Sequence, residues 1–152
     1  PDVVVWLSIW DAENRQIDDQ RVVLETPEGR AALGELIGAR VADLEARGAT
    51  VVLVTVPVVA TPDPTVPPSA IKQRRIEAYD EVLRQFAADH PEVGLIDLAT
   101  YVCPDGDPCV DLDAEGRRYR PGDGIHYEGP AAGPVAEFLA SEISRWTSAA
   151  AG

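Results

Sequence analysis

Three short apolar runs alternate with amphipathic helical stretches, and this alternation restricts the fold more than any other feature of the chain. Residues 3–9 (VVVWLSI), 50–56 (TVVLVTV) and 93–97 (VGLID) read as strands. After the first, Thr26 is placed to cap a helix with Pro27 at its first position. Leu33, Leu36, Ile37, Val41 and Leu44 then recur every three or four residues and make one apolar face, which Gly48 ends. Ser69 caps a second helix whose face carries Ile71, Ile76, Tyr79, Val82, Leu83 and Phe86. A third helix is expected from near Pro130, with Val135, Phe138, Leu139, Ile143 and Trp146 on its inner side. Residues 11–26 read as polar and irregular apart from Val22-Val23-Leu24, and residues 57–68 as a proline-rich loop. Continuous apolar strands separated by such helices predict a parallel sheet with helices on both faces and right-handed crossovers. The working residues of such a sheet sit in loops past the C-terminal strand ends. Here those loops start at Trp10, Pro57 and Asp97, which brings forward Asp11, Asn14 and the segment around His126.

The length of 152 residues fits one domain, and neither a repeat nor an internal boundary is visible. With 13 basic and 26 acidic residues the net charge is −13, which excludes the clustered basic surface that nucleic-acid binding needs. No apolar run approaches the roughly 20 residues of a membrane span. The first residues lack the basic region of a signal peptide. The first strand begins almost at Pro1, yet so apolar a strand is expected to have neighbours on both sides. The expectation is therefore a domain spanning 1–152 that lacks one or two N-terminal βα units, of about 30 residues or more each. Residues 148–152 read as a frayed tail.

Cys103 and Cys109 flank Pro104-Asp105-Gly106-Asp107-Pro108, a turn that can bring them within disulfide range. The alternative is a pair of free thiols in one loop. A disulfide implies an oxidising compartment outside the cytoplasm. No CxxC or zinc spacing, no calcium-loop spacing and no phosphate-cradling glycine loop is present, so neither a metal nor a cofactor is expected.

Of the two histidines, His90 reads as a surface residue at a helix end. His126 lies in RPGDGIHY, residues 120–127, three residues after Asp123. Gly122 and Gly124 free the backbone there, so the carboxylate can meet Nδ1 of the imidazole and leave Nε2 as a general base. Arg117, Arg118 and Arg120 are expected to pair locally with Asp111, Asp113 or Glu115, the alternative being contact with an anionic glycan. Trp6 reads as core, Trp10 as a candidate wall of a sugar or acyl pocket, and Tyr127 as a pocket candidate or a packing residue of the turn.

From residue 93 onward, VGLIDLATYVCPDGDPC followed by RRYRPGDGIHYEGPAAGPVAEFLASEI resembles the C-terminal part of SGNH/GDSL-type hydrolases. The likeness is greatest to the SGNH domains attached to bacterial membrane acyltransferases, in which VVVWLSIWDAEN and VVLVTVPVVATP also have counterparts. The resemblance implies a three-layer, flavodoxin-like sheet. It implies a serine-type esterase or O-acyltransferase acting on acylated cell-envelope carbohydrate or a small ester, outside the cytoplasm of a bacterium. Asp123 and His126 would be the acid and base of its triad. The family's Gly-Asp-Ser block is absent, and Ser8, Ser69, Ser141, Ser144 and Ser148 do not stand in its place. The nucleophile is therefore expected upstream, and the chain alone is expected to be inactive. The Gly-x-Asn block is absent too, which leaves Asn14, or a backbone N–H near Trp10, as the oxyanion candidate; Asp11 and Tyr127 complete the candidate list. The competing reading is a non-catalytic SGNH-like domain that binds glycan or protein.

Overall fold

The structure, a computed structural model, describes residues 2–17, 19–61 and 67–149. Residues 62–66 of the expected proline-rich loop, and residues 150–152 of the expected tail, lie outside the described residues. Its elements are β1 (Val3–Trp6), a 3-10 turn (Trp10–Ala12), β2 (Arg15–Ile17), β3 (Gln20–Val22), α1 (Pro27–Glu45), β4 (Thr50–Val54), α2 (Ala70–Asp89), β5 (Gly94–Ile96), α3 (Leu98–Val102) and α4 (Ala132–Ala149). The class is α/β. A parallel three-stranded sheet, ordered β1-β4-β5, is flanked by helices.

Each strand is shorter than its apolar run. β4 is central, and its residues Val51 to Val54 are wholly buried. The last ladder bond runs from the Thr55 N–H to the Ile96 carbonyl at 3.1 Å, and beyond it the chain stays buried; the Thr55 hydroxyl donates to Asp97 at 2.9 Å and accepts the Ala99 N–H at 2.9 Å. Those bonds start α3, a short helix that the sequence pattern missed; Asp97 caps it by accepting the Thr100 N–H. α1 begins as expected, with the Thr26 hydroxyl accepting the Gly29 N–H at 3.0 Å. It packs against α2 and the sheet. α4 starts two residues later than expected and crosses all three strands, with Trp146 lying on Gly94. Any side chain at Gly94 would collide with that indole and with Val52.

One expectation fails. Residues 11–17 and 19–26 are not simply irregular: a small antiparallel hairpin, β2–β3, folds back so that Val22 and Leu24 are completely buried. β1, expected to be interior only with a further strand from outside this chain beside it, is an edge strand among the described residues. It pairs with β4 alone, and Val5 and Leu7 are exposed. The apolar run that suggested full burial is half-buried because only one of its two edges is covered.

Asp80 on α2 is buried, and its carboxylate accepts the Val56 N–H at 2.7 Å. Burial pushes its pKa up to about 7; the Val56 bond and Arg84 oppose the rise, while Asp97 and Glu77 add to it. The folded state thus binds this proton more tightly than the unfolded chain, whose carboxyl titrates near pH ~4. The stability Asp80 contributes is complete below pH ~4 and is lost as pH rises through about 7. Asp80→Asn keeps an acceptor for Val56 and removes the titration. Urea midpoints measured from pH 4 to 8 should fall with pH in the wild type, and that component of the slope should vanish in the variant.

Candidate active site

The segment following β4 builds one wall of the site, and it does so without a regular ladder. Residues 55–60 are buried, so their backbone groups need partners from elsewhere. Side chains and loops supply them. Asp80 takes the Val56 N–H. The Gln73 amide bonds both N–H and C=O of Val59, each at 2.9 Å. Arg120 Nη1 donates to the carbonyl of Val58 at 2.8 Å and to that of Pro57 at 3.4 Å. The Ala60 N–H donates to the Gly124 carbonyl at 3.0 Å.

The last two bonds fix the loop that carries His126. Gly124 has φ 75°, and a Cβ there would run into the Ala60 carbonyl, so this position requires glycine for conformation and for close approach. Within the loop, Asp123 Oδ1 accepts the N–H groups of Ile125 and His126, both at 2.9 Å. Its Oδ2 meets Nδ1 of His126 at 2.7 Å. The His126 N–H, then the Ile125 N–H, then the imidazole hold the Asp123 carboxyl far below the usual carboxylate range. An ionised carboxylate only accepts, so Nδ1 carries a proton, and it is Nε2 that holds the lone pair in the neutral ring. The Asp-x-x-His spacing therefore closes into an Asx turn that orients the ring locally.

His126 stands beside a cavity of about 340 Å³ at the C-terminal ends of all three parallel strands. The exit of β1 contributes Leu7 to Trp10, the exit of β4 Val56 and Pro57, the start of α3 Leu98, and the histidine loop Arg120, Ile125 and Tyr127. The wall is largely apolar. Trp10 is 79% exposed there, with its ring free to meet a ligand. Tyr127 is mostly buried; its hydroxyl has no hydrogen-bond partner among the described residues, and burial pushes it up to about 12.

Two candidates are not brought to this cavity. Asn14 ties the hairpin to the entry of α1: its Oδ1 accepts the Leu24 N–H at 2.9 Å and its Nδ2 donates to Glu25 at 2.6 Å. Asp11 accepts from Trp6 Nε1 at 3.0 Å and from Arg15 at 2.7 Å, and so braces the 3-10 turn. Both side chains are committed to local structure. Ser8, which the sequence places inside a strand, instead stands in the cavity wall, because β1 ends at Trp6. His90 caps α2, stacks on Phe86 and faces Glu92, well away from this site. Trp6 is partly buried against the core.

The basic cluster divides. Arg117 pairs with Asp113 at 2.7 Å and Glu115 at 2.9 Å, and Arg118 reaches the Thr61 carbonyl. Arg120 is almost wholly buried, with Nε on Asp111 at 2.7 Å and its own N–H on the second Asp111 oxygen at 3.1 Å. Asp111 is wholly buried and has φ 57°, which aspartate tolerates better than most residues. The expected local pairing of Arg120 with Asp111 is present; no local signal in the sequence reveals that the pair is buried.

Cys103 and Cys109 form a disulfide, consistent with an extracytoplasmic location. Replacing both by alanine should cost about 2 kcal/mol, the loop-closure entropy of so short a loop. Urea unfolding should show this as a lower midpoint at unchanged slope. No helix among the described residues is long and apolar enough to cross a membrane. Among those residues no three His, Cys, Asp or Glu side chains converge as metal ligands.

The class defined so far is an α/β protein with an Asp–His pair at the C-terminal mouth of a parallel sheet. No family model matches the chain, and no curated protein matches it either.

Proposed function

We propose that this is an SGNH-type, flavodoxin-like domain holding the acid–base half of a serine esterase or O-acyltransferase site for acylated cell-envelope carbohydrate. The observation that carries this reading is the 2.7 Å contact between Asp123 Oδ2 and His126 Nδ1, with the free Nε2 beside the strand ends. The serine comes from a segment preceding this chain. The uncovered edge of β1 offers a place for the strand that would carry it. That segment would also cover an imidazole whose side chain is 75% exposed and so exclude water from it.

In the proposed reaction, Nε2 of His126 takes the serine proton as Oγ bonds to the ester carbonyl carbon. Collapse of the tetrahedral adduct breaks the ester C–O bond, and the imidazolium returns the proton to the departing alcohol. Water or a sugar hydroxyl then attacks the acyl-serine and gives its proton to His126; collapse of the second adduct breaks the acyl carbon–Oγ bond, and the imidazolium returns the proton to the serine. Asp123 stabilises each imidazolium. The apolar side of the cavity suits an acyl group and Trp10 suits the face of a sugar; the charge of −13 favours a neutral sugar over an anionic polymer. A membrane acyltransferase domain on the same polypeptide would be the donor-side partner. The test is release of acetate from acetylated glycan and of p-nitrophenol from p-nitrophenyl acetate by the intact polypeptide. Turnover that Asp123→Asn lowers supports the reading; turnover indifferent to that change rejects it.

A further inference from the structure

We infer that Arg120 is the positioning residue of this site: it sets where the Asp123–His126 pair stands over the strand ends. The inference rests on the reading that His126 is the working base.

The bonds that form the pair lie within residues 123–126, so the turn can exist wherever the loop happens to be. Placing that turn needs links from the loop to the sheet. Arg120 opens the loop and joins three separate segments. Nε is held by Asp111, Nη1 by the Val58 and Pro57 carbonyls beyond β4, and Nη2 by both disulfide sulfurs, at 3.4 Å for Cys103 and 3.2 Å for Cys109. A buried ion pair contributes little net stability compared with apolar packing. Its distinctive contribution here is direction, because a planar guanidinium fork fixes angles that an ammonium does not. Pro57, Arg120 and His126 all line the same cavity, so the fork ties the wall to the loop that carries the base. The Ala60 to Gly124 bond then depends on the register that Arg120 imposes.

Two variants test this, Arg120→Lys and the double Asp111→Asn/Arg120→Met, the second because it leaves no unpaired buried charge. Both are compared with wild type where circular dichroism shows them folded. Residue-resolved amide exchange should show selective loss of protection at Ala60, about tenfold or more, while Val56, bonded to Asp80, keeps its protection. In the intact polypeptide, the rate of His126-dependent fluorophosphonate labelling should fall about 10- to 100-fold, the scale of a small misplacement of a catalytic group. The midpoint of its pH profile should not move. Equal changes at Ala60 and Val56, or no change at either, overturns the inference, as does a shifted pH midpoint, which would mean an electrostatic role. If wild type shows no His126-dependent labelling, the proposed function fails, and the exchange pattern alone decides the role of Arg120.

Discussion

Replacing His126 with alanine should lower ester turnover by the intact polypeptide by about 10²–10⁴-fold, the usual worth of a positioned general base, with little change in thermal stability. The small stability effect follows from the geometry. The ring projects from the loop, mostly exposed, and its side chain bonds Asp123 alone among the described residues. The Asp123 bonds to the Ile125 and residue-126 N–H groups survive the change, so the turn persists. Asp123→Asn should cost less than His126→Ala, because Asp123 is half exposed and water screens its charge. Turnover rates and melting curves on the same preparations separate the two effects. A His126→Ala variant that is both active and less stable would make His126 a structural residue rather than a base.

Breaking the Asp111–Arg120 pair should have the opposite profile. Asp111→Asn leaves a guanidinium that is almost wholly buried beside a neutral amide, and stranding one buried charge costs about 3–5 kcal/mol. At about 2–4 °C per kcal/mol for a domain this size, the melting temperature should drop by roughly 6–20 °C. Asparagine tolerates the positive φ of residue 111, so the loss reports charge rather than backbone strain. Adding Arg120→Met removes the stranded cation and should recover more than half of the lost stability. Additive losses in the double variant would mean that the pair is not coupled. Urea unfolding of the two singles and the double closes the cycle.

These two sites mark where the sequence is legible and where it is not. The Asp123–His126 turn could be anticipated because every bond that forms it spans three residues or fewer. The cap of α1 was readable for the same reason: Thr26 and Pro27 act within one turn of the residues they affect, whereas Ser69 stands at the start of α2 without a side-chain capping bond. The β2–β3 hairpin was missed because its residues 11–26 lack strong alternation; its burial comes from Val22 and Leu24 packing under α1, a tertiary effect. The pairing of Arg120 with Asp111 was anticipated, but its burial was not, because its further acceptors, Pro57 and Val58, lie some sixty residues away and are carbonyls, which have no sequence signature. Asn14 and Asp11 follow a strand end, as functional residues often do, yet each found nearer partners. The parallel sheet followed from pattern, whereas the strand order β1-β4-β5 was not read from the sequence, since an apolar run looks the same on an edge as in the interior.

The central proposal is that His126 activates a serine supplied from outside this chain. Fluorophosphonate labelling of the intact polypeptide, followed by peptide mapping, tests it most directly. The expected result is one labelled serine upstream of residue 1, with labelling abolished by His126→Ala. Labelling on Ser8, the serine in the cavity wall, would keep the base but contradict the source of the nucleophile. Absence of any His126-dependent labelling would contradict the hydrolytic reading itself and leave a binding domain in its place.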